Sequence, residues 1–305
     1  MTLFRGLGTA LITPFTDSGA LDEPALERFV DFQIDGGVDF LVPCGTTGEN
    51  PALSAAEHRR VVELVTRRAN GRVPVLAGAG SNNTARAIEL AEQAIEIGAN
   101  GVLTITPYYN KPTPDGLRRH FGMQAAAIEK KKSGFPMIMY NVPGRTGLNM
   151  SAETTLRMAA EIPNIIGVKE ASANLEQIMS VIRGRRDGFL VLSGDDAWTL
   201  PLIAAGAGGL VSVASNEIPR LMSDLVSAAL RGDFAAAREV HYRVLPLLTG
   251  NFIESNPGPV KYACKLLGII ASDTVRAPLA PITEASRKKM ETILNECRLL
   301  ETVSA

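Results

Sequence analysis

The chain has 305 residues, 46% of them hydrophobic and 21% charged, so it can bury a sizeable core and is not expected to be disordered. Its 31 lysines and arginines balance 32 aspartates and glutamates, and the net charge of -1 excludes the broad basic surface by which proteins bind nucleic acid or anionic lipid. The sequence contains neither the apolar core of a signal peptide nor a run of about 18 apolar residues, so we expect a cytoplasmic protein without a membrane partner.

The cysteines and histidines argue against a metal site. Cys44, Cys264 and Cys297 lie far apart with no CxxC spacing, and their odd number also argues against a disulfide framework. The chain has only three histidines, so a histidine-rich metal site is not expected either. The chemistry of the chain must therefore use other groups.

Between residue 7 and about residue 225, short runs rich in Val, Ile and Leu alternate with amphipathic segments of helical length. This order is typical of βα units around a parallel sheet, and the apolar runs indicate strands buried on both faces. Eight such units predict an α/β fold, the closed (β/α)8 TIM barrel. The predicted strands are 7–13, 38–43, 73–77, 101–106, 137–140, 165–169, 189–193 and 209–213.

Helix signals lie between the predicted strands. Ser54 and Glu57 form a capping box, and Asp22 and Asn174 suit helix N-caps. Glycines stand where three of the helices should end, at Gly36, Gly71 and Gly98. These local signals agree with the count of eight units.

The alternative to a barrel is an open, Rossmann-like sheet, which would carry a glycine fingerprint after its first strand; segment 13–19 has none. We therefore expect a catalytic barrel over residues 1–225 and a C-terminal helical region over 226–305, which covers either a barrel edge or a subunit contact. The helices predicted in this extension, with no strand between them, are 234–248, 260–267 and 285–300.

Barrel enzymes place their catalytic residues at the carboxyl ends of the strands, so polar segments at these positions are the candidates. All of them should face the same mouth of the barrel. The segments are GTTGEN at 45–50, TPYYN at 106–110, YNVPGRTG at 140–147 and VKE at 168–170.

Lys169 ends an apolar run, and strand alternation directs it toward the barrel interior while its neighbours point away. An ordinary lysine has a pKa near ~10.4, but burial disfavours the charged form and lowers that pKa. A neutral amine can attack a ketone, and the resulting protonated imine acidifies a neighbouring methyl group to give an enamine nucleophile. The alternative is an ion pair with a carboxylate such as Glu170, and for an isolated strand-end lysine that alternative is the commoner one.

Three of the five tyrosines, Tyr108, Tyr109 and Tyr140, lie in these strand-end segments. A phenol can donate and accept a proton in turn, and imine formation needs such a group because the carbonyl oxygen leaves as water. A belt of tyrosines at the barrel rim is the alternative interpretation.

Thr46 and Thr47 lie in a loop between two glycines, where hydroxyl and backbone N–H groups could hold a carboxylate. Arg145 follows a Pro-Gly pair and could bind a second carboxylate through two hydrogen bonds. Each has a plain alternative, since threonine-glycine loops are often simple turns and surface arginines are usually solvated.

Taken together, the strings GTTGE, TPYYN, YNVPGRTG, GVKEAS, LSGDD and NPGPVKYACKLLG resemble the dihydrodipicolinate synthase family over nearly the whole chain. The resemblance implies a (β/α)8 barrel that condenses pyruvate with L-aspartate-4-semialdehyde to give 4-hydroxy-tetrahydrodipicolinate in lysine and diaminopimelate biosynthesis. It also implies that no metal or organic cofactor is needed.

By this resemblance, Lys169 forms the Schiff base with pyruvate, and Tyr140 transfers protons through a relay completed by Thr46 and Tyr109. In family members the residue at Tyr109 enters the site of a neighbouring subunit. A homodimer is therefore implied as the smallest active unit, commonly paired into a tetramer.

The resemblance also assigns the substrate contacts. Thr47 and the backbone at Val211 would hold pyruvate, and Arg145 would bind the carboxylate of the semialdehyde. Sister lyases on the same scaffold, N-acetylneuraminate lyase and the 2-keto-3-deoxy-sugar-acid aldolases, are the nearest alternative, and Arg145 argues against the sialic acid enzymes. A pyruvate-binding protein without turnover is a further alternative, against which every matched catalytic position carries a competent group.

Lysine-inhibited members of the family bind lysine in a cleft at the dimer interface. Ala55 and Arg86 depart from the family pattern, because a glutamate that pairs with the amine of lysine usually occupies the position of Arg86. An arginine there would repel the ligand, so we expect weak or absent lysine feedback. The matching cleft positions are Asn50, Pro51, Ala55, His58, Asn82, Arg86 and Tyr108.

Overall fold

The computed structural model describes residues 3–300 and contains eight parallel strands. All eight predicted strands are confirmed, with ends that differ from the prediction by at most three residues. The strands are β1 (Gly6–Ala10), β2 (Phe40–Val42), β3 (Leu76–Gly78), β4 (Gly101–Ile105), β5 (Met137–Asn141), β6 (Ile165–Glu170), β7 (Leu190–Ser193) and β8 (Gly209–Ser212).

The strands form one sheet that curls into a nearly closed barrel. Its order is β2-β1-β8-β7-β6-β5-β4-β3, so the first strand pairs with both the second and the last. A parallel bridge between Leu41 and Val75 joins β2 to the start of β3 and brings the two edges together. The fold is therefore the predicted TIM barrel, and the open Rossmann-like alternative is wrong.

A helix follows each strand, and one short extra helix follows β5. The predicted capping box of Ser54 and Glu57 and the N-caps at Asp22 and Asn174 are confirmed. The helices are α1 (Glu23–Asp35), α2 (Ala55–Ala69), α3 (Thr84–Ile97), α4 (Pro114–Lys131), α5 (Pro143–Thr146), α6 (Ala152–Glu161), α7 (Leu175–Gly184), α8 (Thr199–Ala204) and α9 (Pro219–Leu230).

Three more helices form the C-terminal extension: α10 (Phe234–Gly250), α11 (Gly258–Leu266) and α12 (Glu284–Glu296). Helix α10 packs against α8, α9 and α12, and thus covers one side of the barrel. The predicted domain boundary after residue 225 falls inside α9. We therefore propose only that the chain consists of a barrel and a helical extension, without a boundary at that residue.

Two hydrophobic clusters separate the inside of the barrel from the layer under its helices. The inner cluster includes Tyr140 and Leu192, whereas Val168 belongs to the outer cluster. The three cysteines are buried, and none is bonded to another. Within residues 3–300, no helix has the length and apolarity needed to cross a membrane.

Candidate active site

Lys169 lies inside the barrel, near the carboxyl end of β6. The strand register pairs it with Tyr140 on one side and Leu192 on the other, and both belong to the inner cluster. The predicted orientation is therefore confirmed. Burial lowers the pKa of Lys169 to about 7; the negative charge of Asp196 opposes this shift and the positive charge of Arg145 adds to it.

The alternative pairing of Lys169 with Glu170 is wrong. Glu170 points to the other side of the strand, where its carboxylate accepts hydrogen bonds from Asn141, Gln177 and Ser172. The side-chain amine of Lys169 forms no hydrogen bond or ion pair with any residue from 3 to 300. An unpaired amine in an apolar interior is costly in its charged form, which is the physical cause of the low pKa.

The glycine that directly follows β7 leaves room for the side chain of Lys169. A Cβ atom at Gly194, directly after β7, would lie 2.9 Å from Cε of Lys169 and 2.8 Å from Cβ of Ala171. Real Cβ atoms do not approach this closely, so a larger residue would displace the amine. This explains why the string LSGDD needs its glycine.

Tyr140 is the nearest aromatic neighbour of Lys169, whose Nζ atom lies 4.3 Å from the centre of the phenol ring. Burial raises the pKa of Tyr140 to about 12, while Arg145 and a side-chain hydrogen bond with Thr46 act in the opposite direction. The phenol therefore keeps its proton at neutral pH and can donate it. Tyr140 thus lies beside Lys169 and is hydrogen-bonded to Thr46, so the structure brings these three predicted residues together.

A cavity of about 240 Å³ opens beside Tyr140 at the barrel mouth. Lys169 is not among its lining residues, but its Nζ atom lies beside the ring of Tyr140, which is one of them. The walls come from the ends of β2, β3, β4 and β5; the sequence predicted the contributions of β2, β4 and β5, but β6 contributes no lining residue and the contribution of β3 was not predicted. The lining residues are Cys44, Gly45, Thr46, Asn50, Pro51, Gly78, Gly80, Leu103, Ile105, Tyr108, Tyr140, Arg145 and Thr146.

The loop at 45–50 turns tightly, although not at the glycines that the sequence suggested. Left-handed backbone occurs at Cys44 (φ 56°) and Glu49 (φ 55°), so these residues rather than Gly45 make the turns. The backbone N–H groups of Thr46 and Thr47 donate to no residue within 3–300. They are thus available to bind an anion.

Arg145 lies on the short helix α5, which begins directly after Val142 with a proline in its first turn. Its guanidinium lines the cavity, and Nη2 donates to the backbone oxygen of Asn256 at 3.4 Å. The arginine is thus held at the mouth rather than free in solvent. Its positive charge is positioned to attract a carboxylate.

Besides Lys169, three candidate catalytic or substrate-binding positions lie outside the cavity wall. Tyr109 is 89% exposed, has a left-handed backbone (φ 73°) and is not brought together with Tyr140 and Thr46 in one chain. Val211 is fully buried in β8, with its side chain in the inner cluster. Thr47 is buried, and its Oγ1 atom accepts a hydrogen bond from Nδ2 of Asn256 at 3.0 Å.

The expected lysine-cleft positions lie around the same mouth. Nε2 of His58 is 2.9 Å from the backbone oxygen of Gly78, and Nδ2 of Asn82 donates to that of Tyr108. Arg86 forms an ion pair with Glu89 on its own helix. Burial and the nearby charge of Arg86 both lower the pKa of His58, so the histidine stays neutral at pH 7.

The sequence did not predict two residues that interact with the site, Asp196 and Asn256. Asp196 accepts hydrogen bonds from Ser212 and from the backbone of Val213, and burial raises its pKa to about 6. Asn256 contacts both Thr47 and Arg145. The strings LSGDD and NPGPVK marked these regions, but no signal in one sequence shows which strand ends and C-terminal loops meet.

The sequence model of the Dihydrodipicolinate synthetase family matches residues 3–297. The chain belongs to this family. It is 49% identical over 301 residues to the 4-hydroxy-tetrahydrodipicolinate synthase of Koribacter versatilis, with 98% of each chain covered.

Solved members of the dihydrodipicolinate synthetase family share the fold. The synthase of Aquifex aeolicus is 42% identical and superimposes with a TM-score of 0.93 over 97% of this chain and 99% of its own. A chloride-inhibited synthase of Acinetobacter baumannii, solved in complex with pyruvate, is 38% identical with a TM-score of 0.93, covering 97% and 99%. The barrel with its C-terminal helices is therefore the family fold.

Proposed function

We propose that this chain is a lyase, a 4-hydroxy-tetrahydrodipicolinate synthase, which condenses pyruvate with L-aspartate-4-semialdehyde in lysine and diaminopimelate biosynthesis. The observation that carries this proposal is the buried, unpaired amine of Lys169, whose pKa of about 7 leaves about half of it neutral at pH 7. The family assignment identifies the two substrates, together with the 49% identical relative that is named for this activity.

The reaction begins with attack of the neutral Lys169 amine on the ketone carbon of pyruvate. Water leaves and a protonated imine forms, which withdraws electrons from the methyl group. Loss of a methyl proton gives an enamine, and its carbon attacks the aldehyde to form the new carbon–carbon bond. No metal or organic cofactor is required for these steps.

Tyr140 is the proposed proton donor and acceptor of these steps. It lies beside the Lys169 amine and is hydrogen-bonded to Thr46, so a proton can pass between the phenol and the hydroxyl. The exposed Tyr109 would complete this relay in a second copy of the chain. The proposed active unit is accordingly at least a homodimer, with a tetramer as the expected assembly.

The carboxylate contacts follow from the free donors at the mouth. The hydroxyl of Thr47 and the open N–H groups of its loop would bind pyruvate, together with the backbone at Val211. Arg145 would bind the carboxylate of the semialdehyde through two parallel hydrogen bonds. Such a pair discriminates an anionic aldehyde from a neutral one. With its cysteines free, the chain is proposed to act in the cytoplasm.

We keep the expectation of weak lysine feedback as part of this proposal. Arg86 places a cation where an amine ligand would need an anion, and its exposed ion pair with Glu89 only weakens that repulsion. Turnover should therefore be unchanged by millimolar L-lysine, whereas inhibition near cellular lysine concentrations would contradict the assignment.

The proposed function is tested with purified protein, pyruvate and L-aspartate-4-semialdehyde, coupled to NADPH oxidation by dihydrodipicolinate reductase. Wild-type protein should turn over and be trapped by borohydride with pyruvate, and Lys169→Ala should do neither. Trapping without turnover would instead favour a sister aldolase or a pyruvate-binding protein, which sugar-acid substrates would then separate.

A further inference from the structure

A residue of the C-terminal extension joins the two proposed carboxylate-binding side chains. Asn256 lies between α10 and α11 and is 4% exposed. Its Nδ2 atom donates to Oγ1 of Thr47 at 3.0 Å, and its backbone oxygen accepts from Nη2 of Arg145 at 3.4 Å. The extension thus contacts the barrel mouth at the point where both substrates are expected.

The direction of the bond to Thr47 determines where its hydroxyl proton points. Because the Asn256 amide donates to Oγ1, the hydroxyl cannot donate back to it and keeps its own proton for another acceptor. The Oδ1 atom of Asn256 is buried and has no partner within residues 3–300. Within residues 3–300, the bond to Thr47 is therefore the one side-chain hydrogen bond that orients this amide.

A second contact from the extension holds the end of the same loop. Lys261 is fully buried, and its amine forms an ion pair with Glu49 and donates to the backbone oxygen of Thr274 at 2.8 Å. The other carboxylate oxygen of Glu49 accepts from the backbone N–H of Arg276 at 2.9 Å. The extension thus contacts the loop at 45–50 at two residues, Thr47 and Glu49.

We propose that Asn256 is a positioning residue for pyruvate: it directs the Thr47 hydroxyl proton toward the pyruvate carboxylate, in a loop that the ion pair of Lys261 and Glu49 holds in place. This inference rests on the role of Thr47 in the proposed function. It assigns to the helical extension a part in substrate binding that the barrel alone does not supply.

The test replaces Asn256 by aspartate and by alanine and measures pyruvate binding by steady-state KM and by the concentration dependence of borohydride trapping. Asn256→Asp should raise the KM for pyruvate more than about tenfold, because the carboxylate accepts from Thr47, turns its proton away and repels the substrate. Asn256→Ala only removes the donor and should raise it about threefold or more. The KM for the semialdehyde should change less, because the backbone contact with Arg145 remains.

Asn164→Asp is the matched control. Asn164 is also buried, its amide donates to the backbone oxygen of Ala125 at 3.0 Å, and it precedes β6 at the opposite end of the barrel. This variant should lose stability without a change in the KM for pyruvate. Equal shifts in the control and in the Asn256 variants would show a merely structural effect and overturn the proposal.

Thr47→Val separates failure of this inference from failure of the proposed function. If Thr47→Val weakens pyruvate binding but folded Asn256→Ala and Asn256→Asp stay within twofold of wild type, the positioning role alone is overturned. If wild-type protein does not turn over, or Thr47→Val binds pyruvate normally, the proposed function or its assignment of Thr47 is wrong and the inference falls with it. Should Asn256→Asp not fold, Asn256→Ala decides the question.

Discussion

Two lysines are buried within residues 3–300, Lys169 and Lys261, and their surroundings are opposite. Lys261 is paired with Glu49, bonded to a backbone oxygen and placed 4.1 Å from the ring centre of Phe15. Lys169 has only the ring of Tyr140 beside it, at 4.3 Å, and no ion pair within residues 3–300. Burial lowers the pKa of both; Glu49 opposes the shift at Lys261 through a direct ion pair, whereas Asp196 opposes it at Lys169 through its charge alone, without a hydrogen bond.

The difference shows that the same residue type, a buried lysine, can have either a structural or a chemical role. A buried ammonium that is paired with a carboxylate and a backbone oxygen connects two segments of the chain, and removing one partner of the pair destabilises the fold. A buried amine without acceptors loses its proton near neutral pH and becomes a nucleophile. The structure of the binding loop depends on Lys261, and the proposed chemistry depends on Lys169.

The largest expected effect is the loss of activity in Lys169→Met. Turnover and borohydride trapping should fall at least about a thousandfold, because methionine fills the space but cannot form an imine. The fold should become more stable, since the variant removes an unpaired polar group from an apolar interior. Steady-state assays and urea unfolding would measure the two effects, and loss of stability in this variant would contradict the contrast with Lys261.

The gain in stability should also depend on pH. The pKa of Lys169 is about 7 in the folded chain, against 10.5 for an ordinary lysine, so the unfolded chain holds the proton more strongly. The stability of the wild type therefore rises with pH between about 7 and 10.5 through this group. The advantage of Lys169→Met should be greatest at and below pH 7 and should shrink as the pH approaches 10.

Lys261→Met should have the reverse effect on stability. It leaves Glu49 as an unpaired buried carboxylate, which costs about 3–5 kcal/mol of unfolding free energy. Urea unfolding at pH 7 measures the loss, and the double variant Glu49→Gln with Lys261→Met should recover part of it because no charge remains buried. A single variant as stable as wild type would show that the ion pair is not the link described above.

The sequence predicted the barrel well because its signals are local. Alternating apolar runs and capping residues such as Ser54 and Asp22 specify elements within a few residues, and eight parallel units leave few topologies open. Strand alternation likewise placed Lys169 inside the barrel, because one residue of register decides which face it occupies.

Contacts between distant segments could not be predicted in the same way. The bond between Asn256 and Thr47 joins residues far apart in the chain, and nothing local distinguishes Asn256 from an ordinary loop residue. The left-handed turns at Cys44 and Glu49 were missed because tertiary contacts, here the ion pair with Lys261, hold a backbone that glycine would adopt more readily.

The smallest expected effect sharpens the comparison from the side of Lys169. The negative charge of Asp196 raises the pKa of this amine, and Asp196 is itself ionised above about pH 6. Asp196→Asn keeps the shape and should lower the pKa of Lys169, so the acid limb of kcat/KM for pyruvate should move to lower pH by less than about one unit. The control variant Asp39→Asn removes a carboxylate that directly precedes β2, at the opposite end of the barrel, and its profile should stay in place. A shift to higher pH in Asp196→Asn would mean that the pKa of the amine is set by something other than burial balanced against this carboxylate.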